Sequence, residues 1–120
     1  MSFIEMETWE IAGGKEEAHH QMIRAWFQFL KEHYAELFAE WKSARYYQQT
    51  DREGRPTGHY IMLFEFRTLE GHHAYKERRK DWSGPYAAYK AVDPYQLFNL
   101  DTVITEYWVP REEELWLDFK

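Results

Sequence analysis

Between residues 15 and 42, large side chains recur every three or four positions. They are Ala18, Met22, Trp26, Leu30, His33, Leu37 and Trp41, with Ile23, Phe27, Tyr34 and Phe38 widening the stripe. That period is the period of an α-helix, and Arg24, Lys31, Glu32 and Glu36 fall elsewhere on the wheel. The spacing therefore predicts one amphipathic helix over about 15–42, its apolar face committed to a core. Glu16 and Glu17 in the first turn suit the positive end of the helix dipole.

The rest of the chain supplies the surface such a helix needs. Phe3 to Ile11 is rich in strand formers and ends at Gly13-Gly14, a strand followed by a breaker. A strand at about 44–50, the turn cluster Asp51 to Gly58 and a strand from His59 to Thr68 read as an antiparallel hairpin. Leu69 to about Lys80 reads as a helix, interrupted at Ser83-Gly84-Pro85 and resumed over Tyr86–Ala91, with Pro94 ending it. Asp101 to Val109 alternates as a last strand, stopped by Pro110. The segment 111–120 is a tail, strand or helix, whose Leu115, Trp116, Leu117 and Phe119 want a partner surface. The order β-α-β-β-α-β predicts an α+β, ferredoxin-like domain over 1–120. Its four-stranded antiparallel sheet has the first and third strands at the centre and both helices on one face.

Composition narrows the function. With 44% hydrophobic and 19% aromatic residues among 120, the chain can build a real core. Fifteen basic against 21 acidic residues argue against nucleic acid, which needs a basic surface. No apolar run approaches a membrane span, and the start MSFIEMETWE does not read as a signal peptide. The lack of cysteine fits a cytoplasmic setting. His19-His20 and His72-His73 are adjacent pairs whose rings diverge on a helix, and no CxxC, HExxH or facial-triad spacing occurs. Neither a metal nor another cofactor is expected.

The central strands carry the functional expectation. Alternation puts Tyr60, Met62, Phe64 and Phe66 on one face of the third strand, and His59, Ile61, Leu63, Glu65 and Arg67 on the other. Polarity suggests that Ile4 and Met6 join the first set under the helices. Phe3, Glu5, Glu7, Trp9 and Ile11 then join the second. That second set holds too much apolar area to leave in water, so a homodimer through this sheet face is expected. Glu5, Glu7, Glu65 and Arg67 would lie within reach of one another there. Glu65 or His59 is then a candidate base that ionises a phenol, with Arg67 offsetting a buried carboxylate; the alternative is an ion-pair network between subunits. Trp9, Glu7, Tyr47, Trp82 and Tyr86 are candidates to line a pocket for a flat ligand.

The element order, the length and the mixed second face resemble the dimeric α+β barrel superfamily. The run Phe64-Glu65-Phe66-Arg67-Thr68-Leu69-Glu70 into Tyr75 to Arg79, followed by Trp82 to Tyr89 and a last strand, looks most like its NIPSNAP-like branch. Antibiotic-biosynthesis monooxygenase-like proteins are also similar. The resemblance implies a pocket between sheet and helices for a small, often aromatic, molecule. It leaves three functions open: a binding protein, a cofactor-independent monooxygenase, and a structural or regulatory dimer with a filled barrel. The haem-degrading branch has Asn in the first strand, Trp ending the third and His ten residues on. Here the first strand has no Asn, and the other two places hold Arg67 and Glu77.

Overall fold

The computed structural model describes residues 2–112 and 115–120. Its elements run β1 (Phe3–Ile11), α1 (Glu16–Glu32), α2 (Tyr34–Leu37), β2 (Trp41–Thr50) and β3 (Pro56–Phe66). Next come α3 (Leu69–Arg79), two 3₁₀ segments (Ala87–Val92 and Pro94–Leu97) and β4 (Phe98–Trp108). The strands form one antiparallel sheet of order β2-β3-β1-β4, so β1 and β3 are central as the ferredoxin-like order requires.

The long helix is shorter than its apolar stripe. α1 stops at Glu32, where the His33 N–H bonds to the Phe29 carbonyl, and the single turn of α2 follows. The chain then bends, and Trp41 opens β2 rather than closing a helix. The Tyr34 hydroxyl holds the bend by donating to the Trp41 carbonyl at 2.8 Å. Leu37, Phe38 and Trp41 are nonetheless buried, with the Phe38 and Trp41 rings 5.2 Å apart. Of the stripe, Ile23, Trp26, Leu30, Leu37, Phe38 and Trp41 go inside, whereas Ala18 and Tyr34 are exposed and His19, off the stripe, is buried. For the last three buried members a tight turn serves as well as a helix. Further on, Pro94 opens the second 3₁₀ segment instead of ending a helix. The Asp93 carboxylate caps that segment by accepting the Tyr95 N–H at 3.0 Å. β4 also begins earlier than its alternation suggests, at Phe98. In the tail, Glu113 and Glu114 lie outside the described residues; Leu115, Trp116, Leu117 and Phe119 are exposed.

Register corrects the face assignment of β1. Phe3, Glu5, Glu7 and Trp9 stand opposite Phe66, Phe64, Met62 and Tyr60, and directly opposed residues share a face. Glu5, Glu7 and Trp9 therefore point toward the helices, and Ile4 and Met6 point away beside Glu65 and Leu63. Alternation divides a strand into two sets without saying which is inside, and polarity is a misleading guide here because both carboxylates are buried with partners. The helix-side core gathers Trp9, Ile23, Trp26, Phe29, Leu30, Phe38, Trp41, Tyr60, Met62, Phe64, Phe66, Tyr75, Tyr86 and Tyr89. The opposite face carries Ile4, Met6, Ile61, Leu63 and the exposed Tyr47, Ile104 and Trp108.

Candidate functional site

Two carboxylates on the central strand are almost wholly buried, Glu5 at 3% exposure and Glu7 at 5%. A buried carboxylate is costly unless hydrogen bonds replace its water, and each of these has its own set of donors. The His72 Nε2 bonds to Glu5 Oε1 at 2.8 Å, and Lys76 Nζ reaches the same oxygen at 3.1 Å. Both come from α3, one turn apart, so that helix presents a single edge to β1. Glu7 is bonded by the Tyr95 hydroxyl and by the Thr105 hydroxyl, the latter at 3.1 Å. Burial raises the Glu7 pKa above the usual carboxylate range, and the neighbouring Glu5 adds to the effect. Burial and the Glu7 carboxyl likewise push the Tyr95 phenol up. Glu7 and Tyr95 thus form a pair suited to holding a proton.

His72 has one nitrogen engaged and one idle. With Nε2–H given to Glu5, Nδ1 presents a lone pair that is buried and has no partner. The ring lies 4.9 Å from Phe3, 4.7 Å from Phe66 and 5.6 Å from Tyr107. The carboxylate thus fixes the imidazole, whose second nitrogen is left free but enclosed by these rings.

Beside Glu5 and Glu7 the helix side of the sheet is uncovered along β4. Thr105 and Tyr107 of β4 stand opposite Glu7 and Glu5, on the helix side of the sheet, yet both are exposed. The helices leave this edge uncovered, and Tyr107 stacks on Phe3 at 5.6 Å with 22° between the rings. Deeper in, the Arg79 guanidinium sits about 6 Å from the rings of Tyr75, Trp82 and Tyr89. The Tyr75 phenol, fully buried, is pushed up to about 12.

The sequence-derived candidates divide between the two faces. Glu7 and Trp9 belong to the helix side, where the Trp9 indole donates to His19 Nε2 at 3.1 Å. Tyr86 is buried at the far end of that layer. Its hydroxyl donates to the Leu37 carbonyl at 2.5 Å and accepts from Arg78 Nε at 2.9 Å. Trp82 is partly buried beside Tyr89. Tyr47 stands opposite Ile61 on the open face, away from these four. Glu65 and His59 also face outward. Glu65 pairs with Lys42 at 3.7 Å and accepts from Ser43, while His59 pairs with Glu10 at 3.0 Å. Arg67 lies beyond β3 and donates to the Tyr34 hydroxyl at 3.0 Å. The expected cluster of Glu5, Glu7, Glu65 and Arg67 therefore does not form, because the sheet separates its members. His72, Lys76, Tyr95, Thr105 and Tyr107 escape sequence reasoning. Of these only the i,i+4 spacing of His72 and Lys76 is visible in the sequence, and many solvated helix faces share it. Among the described residues no three His, Asp or Glu side chains converge as a metal site.

The sequence matches no protein-family model and no curated protein. Solved structures do share its shape. A NIPSNAP family protein from Agrobacterium tumefaciens superposes with a TM-score of 0.63 at 17% identity, covering 94% of this chain and 96% of its own. A cofactor-independent oxygenase from Streptomyces nogalater gives 0.58 at 10% identity, with 92% and 94% covered. A Streptomyces coelicolor monooxygenase in complex with nanaomycin D gives 0.60 at 15% identity, with 92% and 88% covered.

Proposed function

Because the fold is that of the NIPSNAP and antibiotic-biosynthesis monooxygenase-like proteins, we propose a dimeric, ligand-binding role for this chain. It forms a homodimer through the open sheet face and binds a small aromatic or apolar molecule against the uncovered helix-side surface of β1 and β4, the trough of this proposal. The observation that carries this reading is the pair of buried carboxylates facing an uncovered sheet edge. A purely structural core has little use for Glu5 and Glu7, since apolar residues of similar volume would fill the same space with less desolvation. Phe3 and Tyr107 supply flat surfaces, and Glu7, Tyr95 and His72 supply the few convergent polar groups a specific pocket needs. Glu65, His59 and their partners Lys42 and Glu10 are read as polar elements of the dimer face. A chain without cysteine suits the cytoplasm.

A native mass spectrum of the purified protein tests both halves of the proposal. It should show twice the chain mass, together with a co-purified small molecule or one taken up from a panel of hydroxyaromatics. Glu5→Gln and Glu7→Gln should weaken that uptake. A ligand-free monomer that ignores the panel would refute it and favour a filled, structural domain.

One observation favours a catalytic version of this reading, namely the idle Nδ1 of His72. In that version His72 takes the proton of a bound phenol. The electron-rich phenolate then reacts with molecular oxygen, one oxygen atom entering the ring to give a quinone and the other leaving as water. The substrate supplies all four electrons that reduce the two oxygen atoms, so no cofactor is required. Oxygen uptake with hydroxyaromatics should fall at least a hundredfold in His72→Gln. Glu5 acts through His72 as a positioning residue, so Glu5→Gln should shift the pH profile of any remaining rate. Uptake that survives His72→Gln would dismiss this version while leaving binding intact.

A further inference from the structure

Away from the trough, a cleft of about 320 Å³ lies along α1 where that helix meets β2 at the edge of the sheet. Ile23, Arg24, Phe27, Gln28, Lys31 and Tyr46 line it. Its floor is apolar, made of the buried Ile23 with the partly buried Phe27 and Tyr46. The Tyr46 ring is held flat against Tyr60, 5.8 Å away and 5° from parallel, and its hydroxyl is occupied by His20 Nδ1 at 3.3 Å. A ligand therefore meets the face of a fixed ring.

The rim is cationic. Arg24 and Lys31 are both exposed and seven residues apart, so they sit on one side of α1 about 10 Å from each other along the axis. Among the described residues neither takes part in an ion pair. Glu32, the acidic residue next to Lys31, instead accepts the Gln28 side-chain N–H at 2.8 Å. In a chain of net charge −6, two cations without carboxylate partners beside an apolar floor form a local feature of definite chemistry. A neutral molecule would use the floor and ignore the rim; a cation would be repelled by it.

We propose that this cleft binds an amphipathic carboxylate. A flat apolar body lies on Ile23, Phe27 and Tyr46, and one anionic head pairs with Arg24 or Lys31. The volume sits at the lower end of small-molecule sites and suits a body of one or two rings. A guanidinium beside such a floor offers the paired N–H donors that match a carboxylate. This site is separate from the trough and stands whether or not the trough binds anything.

The test is a two-dimensional amide NMR titration of the full chain with 2-naphthoate, 2-naphthalenemethanol and 2-naphthylmethylammonium. Naphthoate should move the amides of Ile23, Phe27 and Tyr46 and bind at least tenfold more tightly than the alcohol. The double variant Arg24→Glu/Lys31→Glu should lose that preference and favour the ammonium ion. Arg24→Gln/Lys31→Gln, a milder change at two exposed positions, should bring acid and alcohol to equal affinity. Equal binding of acid and alcohol by the unaltered protein would overturn the proposal. So would unchanged naphthoate affinity in the glutamine variant, no response at millimolar ligand, or shifts confined to residues around Glu5, Glu7 and Tyr107.

Discussion

His19 illustrates what a single buried residue can impose. It is fully buried, accepts the Trp9 indole N–H at Nε2, and is walled in by His20, Tyr46, Tyr60 and Phe98. Burial, with a smaller contribution from His20, lowers its pKa to about 4. Between pH 6.5 and 4 the unfolded chain takes up a proton that the folded chain refuses, so stability falls as pH falls across that window. The fall should be about 3 kcal/mol, measured by urea unfolding. His19→Gln keeps an acceptor for Trp9 without titrating, so this part of the acid sensitivity should disappear. Glu7 acts with the opposite sign. Its raised pKa means the folded state holds a proton the unfolded state has released, so its contribution weakens as pH rises above the ordinary carboxylate value. Glu7→Gln should therefore gain stability over the parent chain at pH 8, and the gap should close toward pH 4. Neither role is legible in the sequence. His19 reads as one of two adjacent histidines on a wheel, and polarity points Glu7 to the wrong face because charge ordinarily signals exposure.

At the scale of elements, local chemistry and tertiary packing divide the work differently from one segment to the next. α3 is set by local signals, with Thr68 at its N-cap accepting the Gly71 N–H at 2.9 Å, Glu70 in the first turn, and Arg78 and Arg79 in the last. Thr68→Ala should cost about 1 kcal/mol in thermal or urea unfolding. The oligomeric state and ligand uptake should stay unchanged. The region from His33 to Trp41 is decided by packing. Phe38, 1% exposed, contacts the rings of Phe29, Trp41, Tyr75, Tyr86 and Tyr89. Phe38→Ala should cost about 3–5 kcal/mol, a loss large enough to lower soluble yield as well as the unfolding midpoint. Periodicity identifies Leu37, Phe38 and Trp41 as buried, but it also puts Tyr34 inside, where the structure leaves that ring exposed. It cannot show the bend, because the bend depends on the Tyr34 hydroxyl finding the Trp41 carbonyl across seven residues.

For the whole molecule the question is what covers the second face of the sheet. Ile104 at 59% and Trp108 at 53% exposure flank Ile4, Met6, Ile61 and Leu63 there, and the described apolar residues of the tail remain exposed instead of folding back. Leu63, central on β3 between Met6 and Arg45, is the residue to alter. With the homodimer proposed above, the parent chain should sediment as a dimer and Leu63→Glu as a monomer, with its circular dichroism retained. The amino-acid sequence by itself determined the element order, the antiparallel sheet with β1 and β3 at its centre, and most of the apolar side chains that are buried. Those properties arise from periodicity and turn chemistry, which act over a few residues. Only the tertiary structure decided which face of β1 turns inward and which groups meet over it. Glu5 encounters His72 across 67 positions and Glu7 encounters Thr105 across 98, in a register that no local pattern encodes. Each strand alternates identically in either orientation; the choice between them depends on whether distant donors can replace the water that a buried carboxylate gives up.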